Sequence, residues 1–303
     1  MGWGVRVTAL AVALVAAAAT LSAQRELRRA FAFITDSNGE PVLNLTVEDF
    51  VLVEGDGKRL DIVRAARALD LVRVALVVDS SSIEAISSST AGTFLIDVRK
   101  GLQTFLKALP NEYEVGFFTT GRQMRVRVPP TTDRARVLQA AAQFSSDGGG
   151  NTLLNSIREI DERFMRQPID RWPVWVIITA DGPEMSRPSP PDDVWERLVH
   201  GFGARVATIH AVAVQFSGGA LTTEIAQNLT EYSGGRYVPM TVSTGSLPER
   251  LQEIAEQIAD SDRQMFNKYV IEYNSEYVLP LGDLTVISQR GDLRVRASPV
   301  RPF

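Results

Sequence analysis

The sequence predicts an α/β protein in which a mostly parallel sheet, with helices on both faces, is inserted in a small β domain. Between residues 69 and 262, short apolar runs alternate with segments in which apolar residues recur every three or four positions. This alternation of strand and helix signals is typical of a parallel sheet covered by helices. Before and after that region the signals are those of strands alone. Two such segments bury their apolar faces most simply against each other.

The expected organisation of the chain therefore has four parts. A leader occupies residues 1–23, and an N-terminal β segment follows at residues 24–68. The α/β domain spans residues 69–262, and a C-terminal β segment at residues 263–303 is expected to pack with the first one. Within this last segment, two apolar runs on either side of Gln289-Arg290-Gly291 predict a hairpin.

The leader has the features of a signal peptide. Arg6 provides a positive charge before the apolar run from Val7 to Leu21. That run has the length of a signal-peptide core and is short for a membrane span. Since the small residues Ser22 and Ala23 follow the run, we expect cleavage near Ala23 and export, to the periplasm or outside the cell. The alternative is an uncleaved leader that anchors the chain in a membrane.

Composition excludes several classes of function. There is no cysteine, and there are only two histidines, which leaves no thiol nucleophile and no zinc site of the common kinds. A formal net charge of -4 does not favour nucleic acid as a partner. Neither a Gly-x-Ser-x-Gly elbow nor a His-Glu-x-x-His helix is present, so we expect no enzyme. A serine hydrolase with a lysine or aspartate partner is the remaining enzymatic alternative, and no motif marks one.

Polar loops follow the two runs that read as central strands. Val72–Val78 leads directly into Asp79, and Val174–Ile178 leads into a loop that contains Asp181. Ligands of open parallel sheets bind outside the carboxyl ends of the strands, where the strand order reverses. A glycine-rich loop at residues 147–152 opens a helix between these two strands in sequence. No lysine follows its glycines, which argues against a nucleotide-binding P-loop.

These loops carry a resemblance to a known family. Asp79-x-Ser81, Gly149-Gly150-Asn151-Thr152 and Asp181-Gly182 resemble the metal-ion-dependent adhesion site of von Willebrand factor A domains. The flanking segments are similar to those of bacterial proteins called VWFA-related, so the resemblance covers nearly the whole chain after the leader. It implies a Rossmann-like von Willebrand factor A domain that binds a protein partner.

The resemblance also implies a divalent cation, Mg²⁺ or Mn²⁺, bound by hard oxygen ligands. An aspartate or glutamate of the partner would complete its coordination. The candidate metal ligands are Asp79, Ser81, Ser82, Asn151, Thr152 and Asp181.

The sequence departs from the family's pattern at two ligand positions. Ile83 stands where the family has its second serine, and Asn151 stands where it has threonine, with Thr152 next to it. Ser82 could take the place of the missing serine if the loop follows a different path. The alternative hypothesis is a metal-independent scaffold of the cell envelope with a vestigial metal site. Such a scaffold would use loop surfaces, such as the proline-rich loop Pro183–Asp193, for its contacts.

Overall fold

The structure is a computed structural model. It describes residues 26–54, 57–68, 71–81, 86, 93–166, 171–181, 184–186, 195, 198–199, 201–203, 205–215, 221–242, 246–265, 268–275 and 284–298. The leader, Ser82, Ile83 and most of the loop Pro183–Asp193 lie outside these residues. No helix among the described residues is long and apolar enough to cross a membrane.

A six-stranded sheet forms the centre of the α/β region. Its order is β10-β9-β8-β5-β6-β7, and all neighbouring strands are parallel except β6 and β7. The predicted fold class is thus confirmed. In chain order, the strands are β5 Leu71–Asp79, β6 Glu114–Thr120, β7 Arg125–Thr131, β8 Arg171–Ala180, β9 Thr208–Gln215 and β10 Tyr237–Thr241.

Helices cover both faces of this sheet. Successive side chains of a strand point to opposite faces. Val74 and Leu76 of β5 accordingly belong to one apolar cluster, whereas Ala75 and Val77 belong to another. The first cluster also contains residues of the helices α1 (Thr93–Ala108), α2 (Arg134–Ala142) and α5 (Leu247–Met265). The second contains residues of α3 (Leu153–Ile160) and α4 (Leu221–Ser233).

The chain before and after the α/β region forms two further sheets. One has the order β13-β1-β11-β4 and the other the order β12-β2-β3. Their facing side chains share a third apolar cluster, which includes Ile34, Leu52 and Ile271. The strands are β1 Glu26–Thr35, β2 Phe50–Glu54, β3 Lys58–Leu60, β4 Ile62–Arg67, β11 Lys268–Ser275, β12 Leu284–Ser288 and β13 Arg294–Ser298.

The C-terminal hairpin expected from the sequence is wrong. β12 pairs with β2, whereas β13 pairs with β1 in the other sheet. The backbone bond from Leu293 to Arg290 forms the turn between the two strands. Val286 of β12 and the half-buried Val295 of β13 contact the third apolar cluster from different sheets. Each of the two strands therefore pairs with a strand of the N-terminal segment and not with the other.

Strand β1 connects the β sheets to the α/β region. Ala30, Ala32 and Ile34 point into the cluster between the two smaller sheets. Phe31 points the other way and contacts Trp172 of β8, with ring centroids 4.2 Å apart. Both faces of β1 are therefore buried, and the two parts of the molecule share an apolar contact.

Candidate functional site

The carboxylate of Asp79 lies at the carboxyl end of β5 and is fully buried. Its Oδ1 accepts a hydrogen bond from Ser81 Oγ at 2.8 Å. Its Oδ2 accepts from Asn151 Nδ2 at 2.7 Å and from Thr179 Oγ1 at 3.0 Å. A buried charge costs free energy unless hydrogen bonds compensate it. Here three neutral donors, from three different loops or strands, hold the carboxylate.

Asn151 reaches Asp79 from the glycine-rich loop. Gly148 and Gly149 have φ angles of 67° and 84°, a conformation that side chains with a Cβ rarely adopt. This turn directs Asn151 toward the sheet, where it is 3% exposed. Its Oδ1 accepts a hydrogen bond from Thr120 Oγ1 at 2.9 Å, while its Nδ2 donates to Asp79. Asn151 therefore links the ends of β5 and β6.

Thr152 fixes the start of helix α3. Its backbone N and its Oγ1 both donate to the carbonyl oxygen of Gly121, at 3.0 and 2.9 Å. This pair of bonds holds the start of α3 against the loop that follows β6. Of the two residues that the sequence left open for the threonine position, Asn151 is the one that contacts Asp79.

Asp181 follows the end of β8, on the side of the sheet toward β9. Its backbone N donates to the carbonyl oxygen of Val214 at 3.1 Å, and the residue is 8% exposed. The structure thus brings Asp79, Ser81, Asn151 and Asp181 to one edge of the sheet, which we call the top edge. Ser82 lies outside the described residues.

Glu184 lies beside the top edge and at the N-terminus of α3. Its carboxylate accepts hydrogen bonds from the backbone N of Ser186 at 2.8 Å and of Leu154 at 3.4 Å. Burial raises the pKa of this carboxyl above its ordinary value of 4.5, although the hydrogen bonds from Ser186, Leu154 and Leu153 act in the opposite direction. Glu184 therefore satisfies helix N–H groups that would otherwise lack an acceptor.

The present arrangement of these side chains does not fit a divalent cation. A hard cation needs several oxygen lone pairs directed at one point. Asn151 instead directs an N–H group at Asp79, and its oxygen is bonded to Thr120. Among the described residues, no three carboxylate or imidazole groups are close enough together to hold a metal ion. The expectation of Mg²⁺ or Mn²⁺ at the six candidate ligands, which came from the sequence, is not tested by this arrangement.

A cluster of three arginines lies next to the top edge. Asp147, in the glycine-rich loop, forms ion pairs with Arg125 at 2.9 Å and with Arg127 at 2.6 Å. It also accepts a hydrogen bond from Thr119 Oγ1 at 2.7 Å. Arg125, Asp147 and the exposed Arg122 line a cleft of about 520 Å³.

Sequence reasoning missed several residues of this edge. It considered the acidic residues that follow β5 and β8 but not the hydroxyl groups at the strand ends. Thr119 and Thr120 end β6, the neighbour of β5, and Thr179 lies near the end of β8. A search for every polar residue at the carboxyl end of a parallel strand would have found all three.

A family model matches the part of the chain that forms the top edge. Residues 74–184, which run from β5 through the glycine-rich loop to Glu184, match the family model "von Willebrand factor type A domain". Residues 74–184 are thus assigned to the von Willebrand factor type A domain family. No curated protein matches the sequence significantly.

The similar solved structures are distant in sequence. A von Willebrand factor type A protein from Catenulispora acidiphila is 11% identical, with a TM-score of 0.50. That match covers 77% of this chain and only 50% of the other one, so the chain spans half the length of that protein. The domain of the pilus tip protein Mfa5 from Porphyromonas gingivalis is 10% identical, with a TM-score of 0.47; the match covers 63% of this chain and 96% of that domain.

A third similar structure is proximal thread matrix protein 1 from the mussel byssus, with a zinc-occupied adhesion-site motif. It is 14% identical, with a TM-score of 0.48, and the match covers 70% of this chain and 50% of that one. Von Willebrand factor A domains act in adhesion and protein interaction, some of them with a bound metal ion, and are generally not enzymes.

Proposed function

We propose that this chain is an exported, non-catalytic protein-binding module that engages its partner at the top edge without a metal ion. The observation that carries the proposal is the hydrogen bond from Asn151 Nδ2 to Asp79 Oδ2. An N–H donor at this position supplies the positive potential that a cation would otherwise supply. The loops that a metal ion would gather are thus joined by hydrogen bonds among protein groups.

Rotation of the Asn151 amide would be needed to present its oxygen to a cation. The rotation would replace the hydrogen bond from Nδ2 to Asp79 by contact between the amide oxygen and the Asp79 carboxylate, while the Thr120 hydroxyl could accept from the rotated Nδ2. Each lost hydrogen bond costs about 1 kcal/mol, and more where the acceptor is charged and buried. Ile83 at the second serine position also removes an oxygen ligand whose contact with a cation could offset this cost. Sequence and geometry therefore both favour the metal-independent hypothesis.

The top edge also offers an apolar contact for a partner. Met185 is 57% exposed, although its backbone N is fixed by a hydrogen bond to the Asn151 carbonyl at 2.8 Å. Methionine adapts its shape to different apolar surfaces and is common in binding sites for this reason. An exposed methionine beside buried, rigid polar groups supports recognition of a protein rather than of a small molecule.

Export is supported by the signal-peptide pattern in residues 1–23. The periplasm or the cell exterior is the proposed location, and the partner is a protein of the same compartment. Neither nucleic acid nor nucleotide is proposed as a ligand, because the chain is acidic overall and the glycine-rich loop lacks a lysine.

Site-specific photo-crosslinking in the native host tests this function. A photoreactive amino acid replaces Met185 at the top edge, and in a control strain it replaces Glu112, which is exposed and precedes β6 at the opposite edge. We expect a protein adduct at position 185 that EDTA does not abolish, and none at position 112. Loss of the adduct in EDTA would contradict the proposal that the partner binds without a metal ion. Equal adducts at both positions, or none, would contradict binding at the top edge.

A further inference from the structure

The cleft lined by Arg122, Gln123, Arg125, Asp147, Gly148 and Gly149 carries a local positive charge in a chain whose formal net charge is -4. We infer that this cleft, hereafter the arginine cleft, binds an acidic segment of the protein partner through Arg122 and Arg125. The inference rests on the proposed function, since it assigns the chemistry of the partner that the top edge would bind.

The charges of the arginine cleft do not cancel. Asp147 is the one carboxylate among its lining residues, and its two oxygens are paired with Arg125 and Arg127. The two lining arginines and Arg127, which pairs with Asp147 from outside the lining, leave two positive charges uncompensated by that carboxylate, in a chain whose formal net charge is -4. A partner with carboxylates is therefore attracted to this point of the surface, whereas the rest of the chain repels it.

The positions of these charges are fixed in part by the fold. Arg127, which is 25% exposed, donates to Thr119 Oγ1 at 3.2 Å and to the Ser145 carbonyl at 3.1 Å, as well as pairing with Asp147. The side chain of Arg125 is 53% exposed while it pairs with Asp147, so part of its guanidinium group faces solvent. Arg125 can therefore bind a second carboxylate without giving up the first. Guanidinium groups bind carboxylates in pairs of hydrogen bonds, which gives direction as well as attraction.

The glycine-rich loop keeps the cleft open. A Cβ on Gly149 would lie 3.0 Å from Arg122 Cβ, so a larger residue would push against Arg122. Gly149 adopts a φ of 84°, and its backbone N makes no hydrogen bond within the described part of the chain. The loop that supplies Asn151 to the top edge thus also forms one wall of the arginine cleft.

The arginine cleft and the top edge are continuous. Ser146 Oγ donates to the Ser80 carbonyl at 2.8 Å, next to Asp79 in sequence. Gly121, whose carbonyl accepts both bonds from Thr152, directly precedes Arg122. A partner that covers Met185 and the top edge therefore has the arginine cleft within the same contact. This continuity favours a segment of a protein partner over a free anion.

Fluorescence anisotropy with a labelled hexaglutamate peptide tests the inference on the chain purified after export. The test variant carries Arg122→Gln and Arg125→Gln; Arg127 is kept because it supports the Ser145 loop. The control variant, Arg59→Gln with Arg290→Gln, loses the same charge at exposed positions, one in β3 and one in the turn between β12 and β13. We expect the test variant to bind at least about tenfold more weakly and the control to bind as the wild type does, with binding weakened by salt.

Two results would overturn the inference: equal affinity of the test variant and the wild type, or an equal loss in the control variant, which would indicate a general charge effect. Inorganic phosphate distinguishes a simple anion site, because phosphate at millimolar concentration would then displace the peptide. The crosslinking strain separates this inference from the proposed function. If the adduct at position 185 persists unchanged with Arg122→Gln and Arg125→Gln, the inference fails and the proposed function stands. If the strain with intact arginines gives no adduct, the proposed function fails.

Discussion

The side-chain amide of Asn151 donates to the buried carboxylate of Asp79 across 2.7 Å, and this contact determines how the top edge is built. It joins the glycine-rich loop to the end of the central strand β5. Through Thr120 and Thr179 the same network reaches the strands on either side of β5. The Asn151 amide thus links the ends of β5 and β6, and the Asp79 carboxylate adds the end of β8.

Replacing the Asn151 donor by a carboxylate should make the top edge dependent on cations. In Asn151→Asp, two carboxylates face each other in a buried site, and the donor to Asp79 is lost. We expect the free energy of unfolding to fall by about 1.5–3 kcal/mol or more, with part of the loss recovered in Mg²⁺. Urea unfolding measures this effect, and Asn111→Asp, at an exposed position before β6, is the control. A variant as stable as the wild type in EDTA would refute the role given to Asn151.

Glu184 should make stability depend on pH in a defined direction. Because burial raises its pKa above 4.5, the folded state holds the proton more tightly than the unfolded state does. The carboxyl therefore contributes stability below pH 4.5, and this contribution is lost as the pH rises through the folded-state pKa.

Glu184→Gln cannot titrate, so we expect its melting temperature to improve relative to the wild type as the pH is raised from about 4 to about 7. Thermal unfolding at several pH values measures the difference. Glu162→Gln, at an exposed position just after α3, is the matched control. A difference in melting temperature between Glu184→Gln and the wild type that stays constant with pH, or that falls as the pH rises, would contradict the raised pKa of Glu184.

Two buried tyrosines of β11 should respond differently to the same substitution. Tyr269 Oη accepts a hydrogen bond from the backbone N of Leu45 at 2.9 Å. Tyr273 Oη is buried without a hydrogen bond among the described residues, and burial raises its pKa to about 12. Tyr269→Phe leaves a buried N–H group unsatisfied and should cost about 1–3 kcal/mol. Tyr273→Phe should leave the urea midpoint unchanged or raise it. Equal losses in the two variants would refute this assignment.

The contact between Phe31 and Trp172 should determine how firmly the β sheets hold the von Willebrand factor A domain. Phe31 is fully buried between them, so Phe31→Ala should lower the free energy of unfolding by about 3–5 kcal/mol. Phe33→Ala, two residues along the same strand and only half-buried, is the control and should cost clearly less. Similar costs in urea unfolding would mean that the Phe31 contact contributes no more than ordinary surface packing.

Much of the fold could be predicted from the sequence, because it depends on apolar runs. The strands β5, β8 and β9 are buried on both faces, and continuous apolar runs such as Val174–Ile178 mark them clearly. The C-terminal hairpin failed because the period of two within β12 and β13 says which face is buried but not which strand is the partner. Both strands found partners from the N-terminal segment instead.

The site could be predicted only in part, for a similar reason. Strand-end positions place Asp79 and Asp181 at one edge, as the sequence indicated. The position of a residue near a strand end does not determine which of its side-chain atoms faces a neighbour, however. Asn151 turns its N–H group to Asp79 because a carboxylate only accepts hydrogen bonds, whereas the Thr120 hydroxyl can pair with either end of the amide. The arginine cleft likewise arises from residues of β7 and two loops that have no shared sequence motif.

A metal titration of the chain from Gln24 to Phe303 tests the central claim most directly. Its melting temperature is measured in EDTA, in Mg²⁺ and in Mn²⁺, beside Asp79→Asn. A cation at a hundred times its dissociation constant would add about 2.7 kcal/mol, which is several degrees for a domain of this size. We predict that neither cation raises the melting temperature of the wild type. A rise in the wild type that is absent from Asp79→Asn would contradict the metal-independent site and restore the cation-assisted one.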